Sequence, residues 1–323
     1  MKKYFPFVFV LLILGCVAGG RGVTSYSPEG VKILSFEPAI SEILSGKAVD
    51  LRVQVQNVGE ADALNTRVEI FRPSNLVITP LTSQIGKLNK PDVVSNLPGQ
   101  TGEAILRATA PTIAGKNQRV VSDVGARVIY GYRTVVTAEV PVLTEGSYQE
   151  HVQENTIPAK IVDSSIGPVK VDLLTPNFVY EGEIPITLEL SKAVPGYVKS
   201  DGLVNPDGTL VMVNEINSCS KNDLGADGGL NRIDYLRIKY DSAVVEPVCN
   251  GNACKECPFG PAGTGTLELG CVELYSNQKR QLSCTFELVA DLSAGSEIYP
   301  DFVITADYVY VAETSTSLTI KGS

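Results

Sequence analysis

The sequence predicts an all-β protein of two tandem β-sandwiches, the second carrying a disulfide-rich insertion. Three observations predict it. Apolar and polar residues alternate in short runs from Val31 onward, and Asn-, Gly- and Pro-containing turns separate the runs. The pattern of the first half recurs in the second. Six cysteines fall between Cys219 and Cys284. The length of 323 residues fits two domains, and 44% hydrophobic with 20% charged residues supports packed cores.

The first element is an export signal. Lys2 and Lys3 precede an apolar run, Phe5 to Leu14, that is too short to cross a bilayer as a helix and matches a secretory signal peptide. It ends in Ile13-Leu14-Gly15-Cys16, which resembles the lipobox of prokaryotic lipoproteins, so residues 1–16 read as a signal with Cys16 as the lipidated residue. Cleavage near Ala18-Gly19-Gly20, with Cys16 discarded, and an uncleaved anchor are the alternatives. Residues 17–30, polar and containing Gly and Pro, form a tether.

Residues 31–146 follow as the first sandwich. Leu51, Val53 and Val55 alternate with Arg52, Gln54 and Gln56. Val68/Ile70, Ala104/Leu106, Val128/Tyr130/Tyr132 and Val136/Ala138/Val140/Val142 behave likewise. Turns are expected at Asn57-Val58-Gly59, Arg72-Pro73-Ser74-Asn75 and Asn96-Leu97-Pro98-Gly99. The only helical turn expected after the signal lies in Ala39–Leu44. Residues 147–168 read as a polar linker that contains the single histidine, His151.

Residues 169–323 repeat the scheme. Val31 to Pro38 recurs as Val169 to Pro176, Val49/Leu51/Val53/Val55 as Ile184/Ile186/Leu188/Leu190, and the turn glycine Gly46 as Gly182. Val124, Ala126, Val128, Tyr130, Tyr132, Val140 and Val142 align without gaps to Phe302, Ile304, Ala306, Tyr308, Tyr310, Leu318 and Ile320. Each tyrosine pair reads either as a carbohydrate-stacking surface or as a core or rim pair.

The stretch Ser45 to Ala63, with its Asn57-Val58-Gly59-Glu60-Ala61-Asp62-Ala63 turn, resembles the CARDB-like immunoglobulin-type domains of prokaryotic, often archaeal, surface proteins. The resemblance covers residues 31–75 well and 100–144 loosely. In the second half Leu190-Ser-Lys-Ala193 replaces the turn. It implies immunoglobulin-like sandwiches on an exported protein linked to S-layers or adhesion, and it supplies no catalytic residue.

The insertion spans about residues 195–261. Outside the cytoplasm, the even set Cys219, Cys249, Cys254, Cys257, Cys271 and Cys284 reads as a disulfide framework. A hairpin of Thr266–Tyr275 with Lys279–Val289 is expected to set Cys271 opposite Cys284. The C-x4-C-x2-C spacing also admits an iron–sulfur or zinc site, and Cys254-Lys-Glu-Cys257 has thioredoxin-like spacing. Asp223, Asp227 and Asn231 offer oxygen ligands for calcium but lack EF-hand order, and a solvated acidic loop is the preferred reading.

A net charge of −9 argues against nucleic acid. No nucleophile, base and orienting group assemble around His151. The expected protein is therefore non-enzymatic and without cofactor. It is held on the outer face of the cell membrane by its lipid, and its partners are other surface proteins or polysaccharide. The alternatives are an extracytoplasmic ligand-binding lipoprotein, or a metal or iron–sulfur electron-transfer protein built on the insertion.

Overall fold

The computed structural model describes residues 25–199, 203–204, 210–211, 231–250, 253–254, 260–274, 279–290, 292–293 and 296–322. The first half contains β1 (Val31–Pro38), β2 (Glu42–Leu44), β3 (Ala48–Asn57), β4 (Ala63–Arg72), β5 (Val77–Thr79), β6 (Thr82–Leu88), β7 (Thr101–Thr109), β8 (Arg119–Glu139) and β9 (Val142–Leu143). Helix α1 (Glu145–Glu154) and β10 (Ile161–Ser164) lead to β11 (Val169–Leu173), β12 (Val179–Tyr180), β13 (Ile184–Lys192) and β14 (Tyr197–Lys199). Short segments follow: β15 (Leu203–Val204) and β16 (Leu210–Val211). The remainder comprises β17 (Arg232–Tyr240), β18 (Val245–Pro247), β19 (Cys249–Asn250), β20 (Ala253–Cys254), β21 (Gly260–Gly263), β22 (Thr266–Glu273), β23 (Lys279–Leu288), β24 (Glu297–Ile298) and β25 (Asp301–Lys321). The described residues are all-β apart from α1.

Two four-stranded sheets, ordered β1-β3-β7-β5 and β11-β13-β23-β18, share one large partner sheet. That sheet runs β21-β22-β17-β25-β8-β4-β6, with β2 and β14 on β25 and β10 on β8. Alternation explains the layers: Leu51, Val53, Leu106 and Val128 of the first half, and Ile186, Leu188, Ile238 and Ile304 of the second, are buried in one continuous core. Phe286 and Phe302 meet edge-on across the second half, 5.1 Å apart.

The two halves use one strand order. β1, β3, β4, β5, β6 and β7 have the neighbours that β11, β13, β17, β18, β22 and β23 have, so the recurrence in the sequence is a recurrence of topology. It follows that Arg232–Tyr240 and Val245–Pro247, inside the stretch assigned to the insertion, are sandwich strands.

Three local expectations are corrected. β22 and β23 form no hairpin: β22 pairs with β17 and β21, while β23 pairs with β13 and β18 in the other sheet. Alternation identifies the buried face of a strand but not its neighbour. Ala39–Leu44 is not helical, because the chain leaves β1 and switches sheets to lay β2 parallel against the end of β25. The linker instead holds α1, which Thr144 caps by accepting from Ser147 N–H and which ends at Asn155 in the left-handed region. Its polar composition hides it from a search for apolar periodicity.

β8 and β25, each 21 residues long, pair antiparallel over their whole length, from Arg119↔Lys321 to Glu139↔Asp301. β8 begins beside β4 in the first half and ends beside β10, while β25 begins beside β17 in the second half and ends beside β2 in the first. Gly131 faces Val309, and the gapless alignment also makes these two residues equivalent. A local two-fold relation thus passes between them. Each half sends its last strand through this point to complete the other half.

Candidate functional site

Four tyrosines gather at this crossing. Tyr130 faces Tyr310 and Tyr132 faces Tyr308, with ring centroids 5.9 and 6.1 Å apart. Their hydroxyls hold equivalent backbone in each half. Tyr130 Oη accepts from Val31 N–H at the start of β1, and Tyr308 Oη accepts from Val169 N–H at the start of β11. Tyr132 Oη accepts from Ala61 N–H after β3, and Tyr310 Oη donates to the carbonyls of Val194 and Pro195 after β13. Burial pushes the Tyr130 and Tyr308 hydroxyls well above the usual phenol range, so both stay protonated. All four rings are buried, which settles the two readings of these tyrosines. They are core pairs and not a carbohydrate platform.

Asn57 and Gly59 have a different role from the turn conformation expected of them. Asn57 is fully buried, and its amide donates to the carbonyls of Ala61 and Leu88 at 2.9 and 2.8 Å while its oxygen accepts from Gly59 N–H. Gly59 is needed for space, since a Cβ there would overlap Tyr132 Oη. Gly46 and Gly182 do adopt positive φ, at 69° and 94°, as turn glycines should.

A groove of about 500 Å³ opens between β1 and β25, lined among others by Ile33, Leu34, Phe36, Val194, Tyr310 and Thr314. Beside it, β25 is paired with β14 up to Val311 and with β2 from Thr319. Among the described residues no strand covers residues 312–318 on the side away from β8.

His151 lies on α1 rather than in an extended linker. Its Nε2 is 2.7 Å from Glu297 Oε2 and its Nδ1 is 3.0 Å from Thr156 Oγ1, so it fastens the helix to β24. Tyr148, one turn earlier, stacks on Phe178 and meets Tyr180 edge-on. No local pattern links Glu297 or Phe178 to α1, so neither was visible in the sequence. The His151 hydrogen bond holds the Glu297 carboxyl below its ordinary range, and Ser147 and Tyr299 add to this. A carboxylate shifted down stabilises the fold above its unfolded pKa and loses that contribution as pH falls through the folded value. His151→Ala is therefore expected to cost up to about 1 kcal/mol above pH ~5, the difference from wild type fading toward pH ~3. Paired urea titrations at several pH values measure it, and a difference that grows on acidification would contradict the assignment.

Of the cysteines, Cys284 is 1% exposed, on the inner face of β23, and is disulfide-bonded. Cys249 and Cys254 face each other in the β19–β20 pair, and Cys271 lies on β22. Cys16, Cys219, Cys257, Asp223 and Asp227 lie outside the described residues. Asn231, grouped with Asp223 and Asp227 as a calcium ligand, sits at positive φ; its N–H donates to Val198 O and its carbonyl accepts from Leu274 N–H. Among the described residues no three His, Cys, Asp or Glu side chains gather as a metal site, and no helix is long and apolar enough to cross a membrane.

No family model and no curated protein matches the chain. Solved structures give distant similarities. The YadV chaperone is 9% identical over 90% of this chain and 100% of its own, with a TM-score of 0.19. A Porphyromonas gingivalis W83 protein of unknown function is 10% identical over 76% and 83%, with a TM-score of 0.19. The collagen adhesin of S. aureus is 8% identical over 93% and 95%, with a TM-score of 0.20. Similarity at this level carries no argument about function.

Proposed function

We propose that the protein is a non-enzymatic structural or interaction module of the cell surface, lipid-anchored through Cys16. In this reading it consists of two tandem immunoglobulin-like sandwiches of the CARDB kind. One observation carries the proposal: the ladder of β8 and β25 joins both halves through shared strands. A hinge between the halves would serve closure around a substrate, whereas a continuous 21-pair ladder serves a stiff body with fixed ends. The tether enters beside this ladder, where Tyr130 Oη donates to the Glu29 carbonyl at 2.6 Å. An anchor at residue 16 would hold the molecule by its waist and leave both sandwich ends free to meet envelope proteins or polysaccharide.

The test is labelling of intact cells with a membrane-impermeant amine reagent, with fractionation of wild type and Cys16→Ser. The expected result is a labelled, membrane-associated wild type and a variant lost from the membrane fraction. A chain protected from the reagent until lysis would overturn the surface assignment, and an unchanged variant would overturn the lipid anchor.

A further inference from the structure

We infer that residues 312–318 of β25 are a docking edge for one extended segment of a partner polypeptide, which adds as an antiparallel strand and closes the groove between β1 and β25. The inference rests on the interaction role proposed above and names the partner class for it. Backbone direction comes first. Thr319 N–H donates to Ser41 O beside β2, and a strand sends alternate residues to opposite neighbours. Glu313, Ser315 and Ser317 therefore also direct their N–H and C=O away from β8. Among the described residues no strand pairs with these groups, while β14 and β2 bound the stretch at its two ends.

The fold contains a filled copy of this edge. The local two-fold relation makes Thr134 to Val140 of β8 and the residue after it equivalent to Ala312 to Leu318. There β10 pairs antiparallel with Val136 to Glu139, and Ser165 N–H donates to Val135 O. The inward residues of that stretch, Thr134, Val136 and Ala138, are buried. Their equivalents Ala312, Thr314 and Thr316 are only half-buried, and so is Ile33 of β1 where Val171 of β11 is buried. Leu34, 46% exposed, adds an apolar wall to the groove. The chain's own counterpart of β10 does not take the place. Ser27 is equivalent to Ser165, yet its N–H donates to Val58 O, and Ser25 and Tyr26 form no strand. A polypeptide is the fitting class, because backbone groups that recur at every second residue along an edge match the backbone of another strand. By the example of β10, positions opposite Thr314 and Thr316 take small or aliphatic side chains, as Ser164 and Val162 do opposite Val136 and Ala138.

The probe is a labelled synthetic peptide with the sequence of residues 159–166, added to purified full-length chain. Saturable binding is expected, with exchange of the Glu313, Ser315 and Ser317 amides slowed about tenfold or more at saturation. The Ser165 bond to β8 puts the Asp163 N–H on the pairing side and the Val162 N–H on the other. N-methylation of the peptide at Asp163 should therefore weaken binding about tenfold or more, and N-methylation at Val162 should leave it unchanged. No saturable binding up to about 1 mM peptide, or equal loss from both methylations, would overturn the inference. So would protection along the β8 edge in place of β25, which would mean that the peptide exchanges with β10. Binding seen only after the residues before Ser25 are removed would make the tether the occupant, and protection of the same amides by self-association would make it a second copy. All of these readings use purified chain, so they are independent of the cell-surface labelling.

Discussion

Asn57→Ala is expected to lower folding stability by about 3 kcal/mol or more, read as a fall in the urea midpoint at unchanged slope. The side chain is fully buried, and truncation leaves the Leu88 carbonyl, in a buried contact, and the Ala61 carbonyl, in a half-buried one, without their amide donors. A buried polar group stripped of its partner costs about 1–3 kcal/mol. Gly59 N–H keeps a second acceptor, the Gly30 carbonyl, so its share of the loss is smaller. The repeat provides an internal control. Lys192, the last residue of β13 as Asn57 is of β3, is the equivalent residue, and its Nζ donates to Gly196 O, four residues on, as the Asn57 amide does to Ala61 O. Lys192 is only partly buried and makes one such bond, so Lys192→Ala is expected to cost about 1 kcal/mol or less. Equal losses in the two variants would show that Asn57 is not the organiser of its turn.

The contrast marks how far the sequence could be read. Alternation identified the inward residues of β3, β7 and β13 correctly, because a period of two is a direct consequence of the pleat. The repeat was visible for the same reason, and it extends to equivalent tyrosine contacts at the crossing. Alternation says nothing about neighbours. Thr266–Glu273 and Lys279–Leu288 look like a hairpin, yet β6 and β7 already divide between two sheets in the first half, and the second half follows them. A hub such as Asn57 is legible as a turn residue but not as a buried one, since its partner Leu88 lies 31 residues away. The His151–Glu297 contact spans 146 residues and leaves no local trace. The length of β8 was partly legible: Val124 to Tyr132 and Val136 to Ala138 keep one parity, although Gly125 and Gly131 are of a residue type common in turns.

That length leads to the second large effect. Because β8 and β25 each complete both halves, the two halves should unfold together. Native-state hydrogen exchange is expected to give one shared opening free energy for the slowest amides of β3 and β13, although these strands lie in different sheets. Two independent domains would show two values. Val309→Pro tests the cause. Val309 is buried at the local two-fold point, flanked by Gly131 of β8 and Lys199 of β14, and proline there removes a ladder donor from the middle of the sheet. The expected cost is about 3 kcal/mol or more, from the lost bond, the unsatisfied carbonyl and the displaced side chain. Its signature is distribution: protection should fall equally in β3 and β13. The ladder cannot relax by sliding, because a one-residue slip would turn Val128, Tyr130, Tyr132 and Val136 out of the core together. A loss confined to the second half would mean that β25 belongs to that half alone, and the waist would then be a joint between separate bodies.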